Sequence, residues 1–206
     1  MSKRSDTKRW LAAHRSDPYV RAAQADNYRS RAVYKLAEID AKDGLLTKSR
    51  CIVDLGAAPG GWSQYVRRNA PKARVVALDR LAMDPIEGVS FLQVDFAEQV
   101  GLDTLLAELG DTSVDLVLSD MAPNLSGVKA ADQASVMQLA ELSLALCDDV
   151  LSPGGALLMK VFQGEGFDEL LASMRSVFSR VVVRKPEASR DASREMYLLG
   201  QGWRNG

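Results

Sequence analysis

Residues 51 to 65 read Cys-Ile-Val-Asp-Leu-Gly-Ala-Ala-Pro-Gly-Gly-Trp-Ser-Gln-Tyr, and they restrict the chain more than any other stretch. A short β-branched, apolar run between Arg50 and Asp54 fits a parallel strand buried on both faces, which shows no alternation. Gly56, Gly60 and Gly61 then allow a sharp turn and a close approach to a ligand with no Cβ in the way. Residues able to start a helix follow, and the first N–H groups of a helix point outward, unpaired. The order is strand, ligand-binding loop, helix.

The rest of the chain repeats that alternation. Strands are predicted over residues 74–79, 89–95, 114–120, 156–162, 181–183 and 195–200. Helices are predicted over 30–42 with Ser30 as cap, 62–69, 102–109, 133–150 and 167–177, and more loosely over 10–25, interrupted at Pro18. The fold class is therefore α/β, a seven-stranded, mostly parallel sheet with helices on both faces. At 206 residues it is one domain with a core that needs no metal or disulfide. Cys51 and Cys147 lie in apolar surroundings and read as core. A single histidine, His14, and the absence of clustered Cys/His spacing argue against a zinc site or a His-based triad, so no metal is expected. No apolar run approaches the ~20 residues that span a bilayer, which gives the expectation of a cytoplasmic protein without membrane contact.

In such sheets ligands bind beyond the carboxyl ends of the strands, and four acids fall there: Asp54, Asp79, Asp95 and Asp120. Asp79 follows the glycine loop at the interval where an acid meets a ribose diol. Asp95 suits an adenine amino group, and Asp120 would lie at the reactive end of the same ligand. The loop lacks the G-x-G-x-x-G spacing of dinucleotide sites and carries Pro59 where a pyrophosphate loop needs freedom. An acid at Asp54 favours a cationic amino group over phosphates. S-adenosyl-L-methionine combines that group with a sulfonium and an adenosine.

The formal net charge of −1 hides a strong asymmetry. Residues 1–35 hold nine Lys/Arg against three acids, and six further bases cluster between Arg175 and Arg194. Residues 81–174 hold only Lys129 and Lys160 among sixteen acids. A basic head and tail around an acidic body point to a phosphate-rich partner held on one side. Trp10, Tyr19, Tyr28 and Tyr34 lie among the head's bases, where rings can stack on unpaired nucleotides.

The segments Asp54-Leu-Gly-Ala-Ala-Pro-Gly-Gly-Trp-Ser-Gln-Tyr65, Ser119-Asp-Met-Ala-Pro-Asn124, Met159-Lys-Val-Phe-Gln-Gly-Glu-Gly166 and Ser193-Arg-Glu-Met-Tyr197, with Arg29-Ser-Arg-Ala32 before Lys35, closely resemble the FtsJ/RrmJ-type ribosomal RNA methyltransferases. The resemblance covers nearly the whole chain. It implies a Rossmann-like S-adenosylmethionine-dependent methyltransferase fold over residues 29–206, behind a basic arm of residues 1–28. It implies Lys35, Asp120, Lys160 and Glu195 as the catalytic set, with Lys160 as proton acceptor. Gly60, Trp62, Asp79, Asp95 and Asp120 become the cofactor contacts. The implied reaction is methylation of the 2′-hydroxyl of a uridine in the A loop of 23S rRNA, on the 50S ribosomal subunit, with no obligate protein partner evident. Arg29, Arg31, Arg190 and Arg194 are the expected RNA contacts, from their place in the basic head and tail. A nicotinamide-dependent oxidoreductase, a non-catalytic RNA-binding assembly factor and a methyltransferase for tRNA or an mRNA cap remain alternatives.

Overall fold

Cys51–Leu55 forms a strand, β1, buried along its whole length. Cys51, Val53 and Leu55 pack into one core, and Ile52 into a second, as the twofold alternation of a strand requires. This computed structural model describes residues 17–123, 126–189 and 193–204. Around β1 the chain runs α1 Pro18–Ala25, α2 Val33–Asp43, α3 Gly61–Asn69, β2 Arg74–Asp79, β3 Val89–Gln93, α4 Gln99–Leu109, β4 Val114–Ser119, α5 Lys129–Val150, β5 Leu151–Phe162, α6 Phe167–Val177, β6 Phe178–Arg184 and β7 Glu195–Trp203.

One sheet holds all seven strands in the order β3-β2-β1-β4-β5-β7-β6. Pairings from β3 through β5 are parallel, while β7 runs antiparallel to both β5 and β6. The order reverses between β1 and β4, so their carboxyl ends flank the crevice where ligands bind in such sheets. Leu36 and Ile39 of α2 and Trp62 and Val66 of α3 close one face; Leu105, Met137, Cys147 and Met174 from α4, α5 and α6 close the other. Both cysteines are free and buried. No helix of the described residues is long and apolar enough to cross a membrane.

Several boundaries differ from the sequence expectation, each for a local reason. Pro18 opens a helix instead of interrupting one: Asp17 caps it by accepting from Tyr19 N at 3.0 Å, and proline loses no helical bond at the first position. Ser30 does not cap α2; its hydroxyl accepts from Ala32 N in a turn before Val33. α5 begins at Lys129, ahead of Gln133, because Asp132 in its first turn gathers Ser126 N, Ser126 Oγ and Gly127 N. β3 stops at Gln93, leaving Asp95 in the turn beyond it. β5 extends back to Leu151, which pairs with Val114 of β4, and β7 extends on to Trp203, because Gln201 pairs with Ala156 and Trp203 with Phe178. Asn124 and Arg190, like residues 1–16, lie outside the described residues.

Candidate active site

Beyond the tips of β1, β2 and β4 lies a cavity of about 480 Å³, lined by Gly56, Asp79, Leu81, Asp95, Phe96 and Asp120 among others. That is within the range of small-molecule sites. Gly56 and Ala57 donate their N–H groups to Leu78 O at 2.9 and 3.0 Å, tying the glycine loop to β2. At Gly56, φ is +73° and a Cβ would stand 2.7 Å from Met121 Cγ, so both conformation and space require glycine. Ala58 N and Leu81 N donate to the two carboxylate oxygens of Asp79, at 2.9 and 2.8 Å. Asp95 accepts from Ala97 N at 3.0 Å. These bonds orient the carboxylates, and each oxygen retains a second lone pair for a ligand. Apolar side chains and acidic rims together suit a cationic nucleoside.

Asp54 differs from the other three acids. It is 1 % exposed, and Ser63 of α3 donates to its Oδ2 at 2.6 Å. Its Oδ1 is buried with no hydrogen-bond partner. Burial foremost, opposed by the Ser63 bond and reinforced by the charges of Asp120 and Asp79, pushes its pKa up to about 7. An orphaned carboxylate oxygen beside two pocket acids is an excess of negative potential that a bound cation would relieve. The residues present therefore fit S-adenosylmethionine. Gly60 and Trp62 sit differently: Gly60, at φ +107°, would press a Cβ against Ile86, Met83 and Arg29, and the buried Trp62 donates its indole N–H to Ala32 O.

Beside Asp120 two ion pairs converge. Lys160 Nζ lies 3.1 Å from Asp120 Oδ1 and donates to Asp120 O at 2.5 Å. Lys35 Nζ lies 2.7 Å from Glu195 Oε1. All four side chains are largely enclosed, between 9 and 18 % exposed. Lys160 pairs in register with Tyr197 across β5 and β7, and Glu195 shares the Tyr197 face of its strand. The structure thus brings Lys35, Asp120, Lys160 and Glu195 together around one residue that the sequence reading quoted but did not single out. Tyr197 is fully buried and donates its Oη to Asp120 Oδ1 at 2.8 Å. Its ring lies 5.9 Å from Lys35 Nζ and 5.8 Å from the Trp62 ring. Burial, with Asp120 and Glu195 nearby, drives its pKa well above the usual phenol value, so it remains a donor. The two-residue spacing from Glu195 was the available signal.

Two of the expected RNA contacts are also engaged within the chain. The Arg29 guanidinium donates from Nη1 to Asp84 O at 2.6 Å and Pro59 O at 3.3 Å, and from Nη2 to Pro85 O at 2.8 Å. It clamps the connection after β2 onto the glycine loop. Arg31 is paired with Asp17 and Ala188 O and lies over the Tyr19 ring. Backbone carbonyls and a carboxylate compete well for guanidinium donors, and the basic pattern alone does not reveal that competition. Arg194 is exposed, and its Nη1 donates to Gln163 O at 3.5 Å. Arg190 is outside the described residues.

Residues 28–203 match the model of the FtsJ-like methyltransferase family. The chain is 52 % identical over 205 residues to the ribosomal RNA large subunit methyltransferase E of Marinobacter nauticus, covering 99 % of each chain. It is 53 % identical over 205 residues to the Pseudomonas aeruginosa protein of the same name, again covering 99 % of each, and 56 % identical over 199 residues to that of Stenotrophomonas maltophilia, covering 96 % and 95 %. Among solved structures, a chain described as a ribosomal RNA methyltransferase from Plasmodium falciparum superposes with a TM-score of 0.78 at 29 % identity, spanning 87 % of this chain and 100 % of its own. With matches this extensive around a site of this construction, the chain belongs to the FtsJ-like methyltransferase family.

Proposed function

We propose that this methyltransferase transfers a methyl group from S-adenosyl-L-methionine to the ribose 2′-hydroxyl of a uridine in the A loop of 23S rRNA, carried on the 50S subunit, in the cytoplasm. The observation that carries this reading is the meeting of the Lys160–Asp120 and Lys35–Glu195 pairs around Tyr197 at the edge of the acid-lined cavity. The names of the relatives support the RNA substrate.

S-adenosylmethionine supplies a methyl group already activated by its sulfonium. Asp79 would hold the ribose diol, Asp95 the adenine amino group and Asp120 the reactive end, with Asp54 adding negative potential from beneath. Gly60 and Trp62 would shape the loop and helix start that support these contacts. The chain's remaining task is alignment of the attacking oxygen. Asp120 would take the two N–H donors of the Lys160 amine, through its carbonyl and carboxylate. The remaining lone pair on Nζ would face the ribose hydroxyl, aim its oxygen at the methyl group and accept its proton late, as the oxygen–methyl bond forms and the sulfonium–methyl bond breaks. Lys35, held by Glu195, would bound the opposite side of the oxygen. Arg194 and Arg190, with the bases of residues 1–28, would hold phosphates as the nucleotide leaves its stack.

Mass mapping of ribose methylation across rRNA and tRNA, from cells with and without the gene, tests the reading. One uridine methyl group in the A loop should vanish and return with the gene. An unchanged 23S map, or a loss confined to tRNA, would refute it.

A further inference from the structure

The turn formed by Pro186, Glu187, Ala188 and Ser189 follows β6, far from the glycine loop in sequence, and no sequence pattern marked it. It is nevertheless among the most tightly held irregular segments near the site. Ala188 is 0 % and Ser189 4 % exposed. From α2, the Glu38 carboxylate receives both central amides, Glu187 N at 2.7 Å and Ala188 N at 3.0 Å. Arg31 donates to Ala188 O from the same side. Ser189 N closes the turn on Pro186 O at 2.9 Å. Lys185, just before it, donates to Ser193 O and to Glu195 O at 2.5 and 2.8 Å, fixing the backbone at the start of β7.

All of this restraint ends in one side-chain bond. Ser189 Oγ donates to Glu195 Oε1 at 2.9 Å, the same oxygen that receives Lys35 Nζ. Tyr197 also lies against this carboxylate, and Ser189 adds a tie on the oxygen that meets the lysine. With Ser189 on it, Glu195 is held from the protein side and Lys35 is held by Glu195. We propose that Ser189 is a positioning residue for methyl transfer: its hydroxyl fixes the Glu195 carboxylate, and the turn clamped by Glu38 and Arg31 transmits the placement of α2 to the Lys35–Glu195 pair. This rests on the catalytic set proposed above.

The test is a double-mutant cycle of Ser189→Ala and Glu195→Gln, with methyl transfer to large-subunit particles and S-adenosylmethionine affinity both measured. A charge-assisted bond of this kind predicts a loss of about tenfold in kcat for Ser189→Ala. The Kd for S-adenosylmethionine should stay within about twofold, because Ser189 does not line the cavity. On the Glu195→Gln background the same change should cost clearly less, since the amide oxygen still accepts from Ser189 but without charge assistance. Ser189→Cys fills the volume with a poor donor and should lose as much as Ser189→Ala. Wild-type kcat in Ser189→Ala, equal losses on both backgrounds, or full activity in Ser189→Cys would each overturn the role. If Ser189→Ala also loses cofactor binding, its fold is disturbed, and the Ser189→Cys comparison decides. Wild-type protein that transfers no methyl group removes the proposed function, and this role with it; an active wild type with additive variants removes only this role.

Discussion

Asp54 accepts from Ser63 at one carboxylate oxygen, and its other oxygen has no hydrogen-bond partner among the described residues. Its raised pKa has a definite sign. Between the ordinary value of 3.8 and about 7 the folded protein binds a proton that the unfolded chain releases. The associated stability is present below pH 4, falls as pH rises toward 7, and is flat above. Asp54→Asn should remove that slope. Urea unfolding at pH 4.5 and 7.5 should show the parent losing on the order of 2 to 4 kcal/mol more than the variant; parallel curves would refute the assignment. A cation in the cavity should also draw the proton off, so calorimetry in buffers of different ionisation heat, near pH 6.5, should show more proton release for S-adenosylmethionine than for S-adenosylhomocysteine, which lacks the sulfonium. The four acids were legible in the sequence because each closes an apolar run. The distinct state of Asp54 was not, because α3 folding back over it sets its burial.

Elements place these side chains, and the connections do so as much as the strands. Gly101 lies in the first turn of α4, and a Cβ there would stand 2.0 Å from Asp95 O. Alanine improves helix propensity by about 1 kcal/mol, but here the backbone of the Asp95 turn must move. Overpacking of this kind costs about 1 to 3 kcal/mol. Gly101→Ala should therefore lower Tm by a few degrees and weaken S-adenosylmethionine binding; a raised Tm would show that the turn yields freely. Arg29 makes a parallel case. It bridges Pro59, Asp84 and Pro85, so Arg29→Ala should loosen the loop pair and weaken S-adenosylmethionine binding about five- to tenfold. The slope of log Kd for RNA against log salt should not change, whereas a phosphate contact would lower it by about 1. The β-α alternation was readable from hydrophobic pattern alone. The Lys35–Glu195 pair was not, since it depends on β7 entering antiparallel between β5 and β6, a choice made by long-range pairing.

At the scale of the molecule, folding joins the two basic ends that the sequence keeps apart. Arg31 of the head and Glu38 just after it grip Glu187 and Ala188 in the tail, and this junction lies against the Lys35–Glu195 pair. Three acids of the middle segment stand elsewhere: Glu141, Asp148 and Glu169 border a groove between α5 and α6 beside Trp203. A polyanion approaching this surface is drawn toward the catalytic side and away from the groove, and exposed charges act only over roughly 10 Å at cellular salt. The bases of the head would then contribute by number. Replacing Lys3, Arg4, Lys8 and Arg9 by serine removes four of them. RNA binding by this variant should weaken at low salt, and the slope of log Kd against log salt should fall by at least about 1, with S-adenosylmethionine affinity unchanged. Serine at Glu141 and Asp148 should leave that slope where it was. If the four-base variant keeps the parent slope, the charge asymmetry is solvated surface, and the RNA must be held by the closer bases around Arg194.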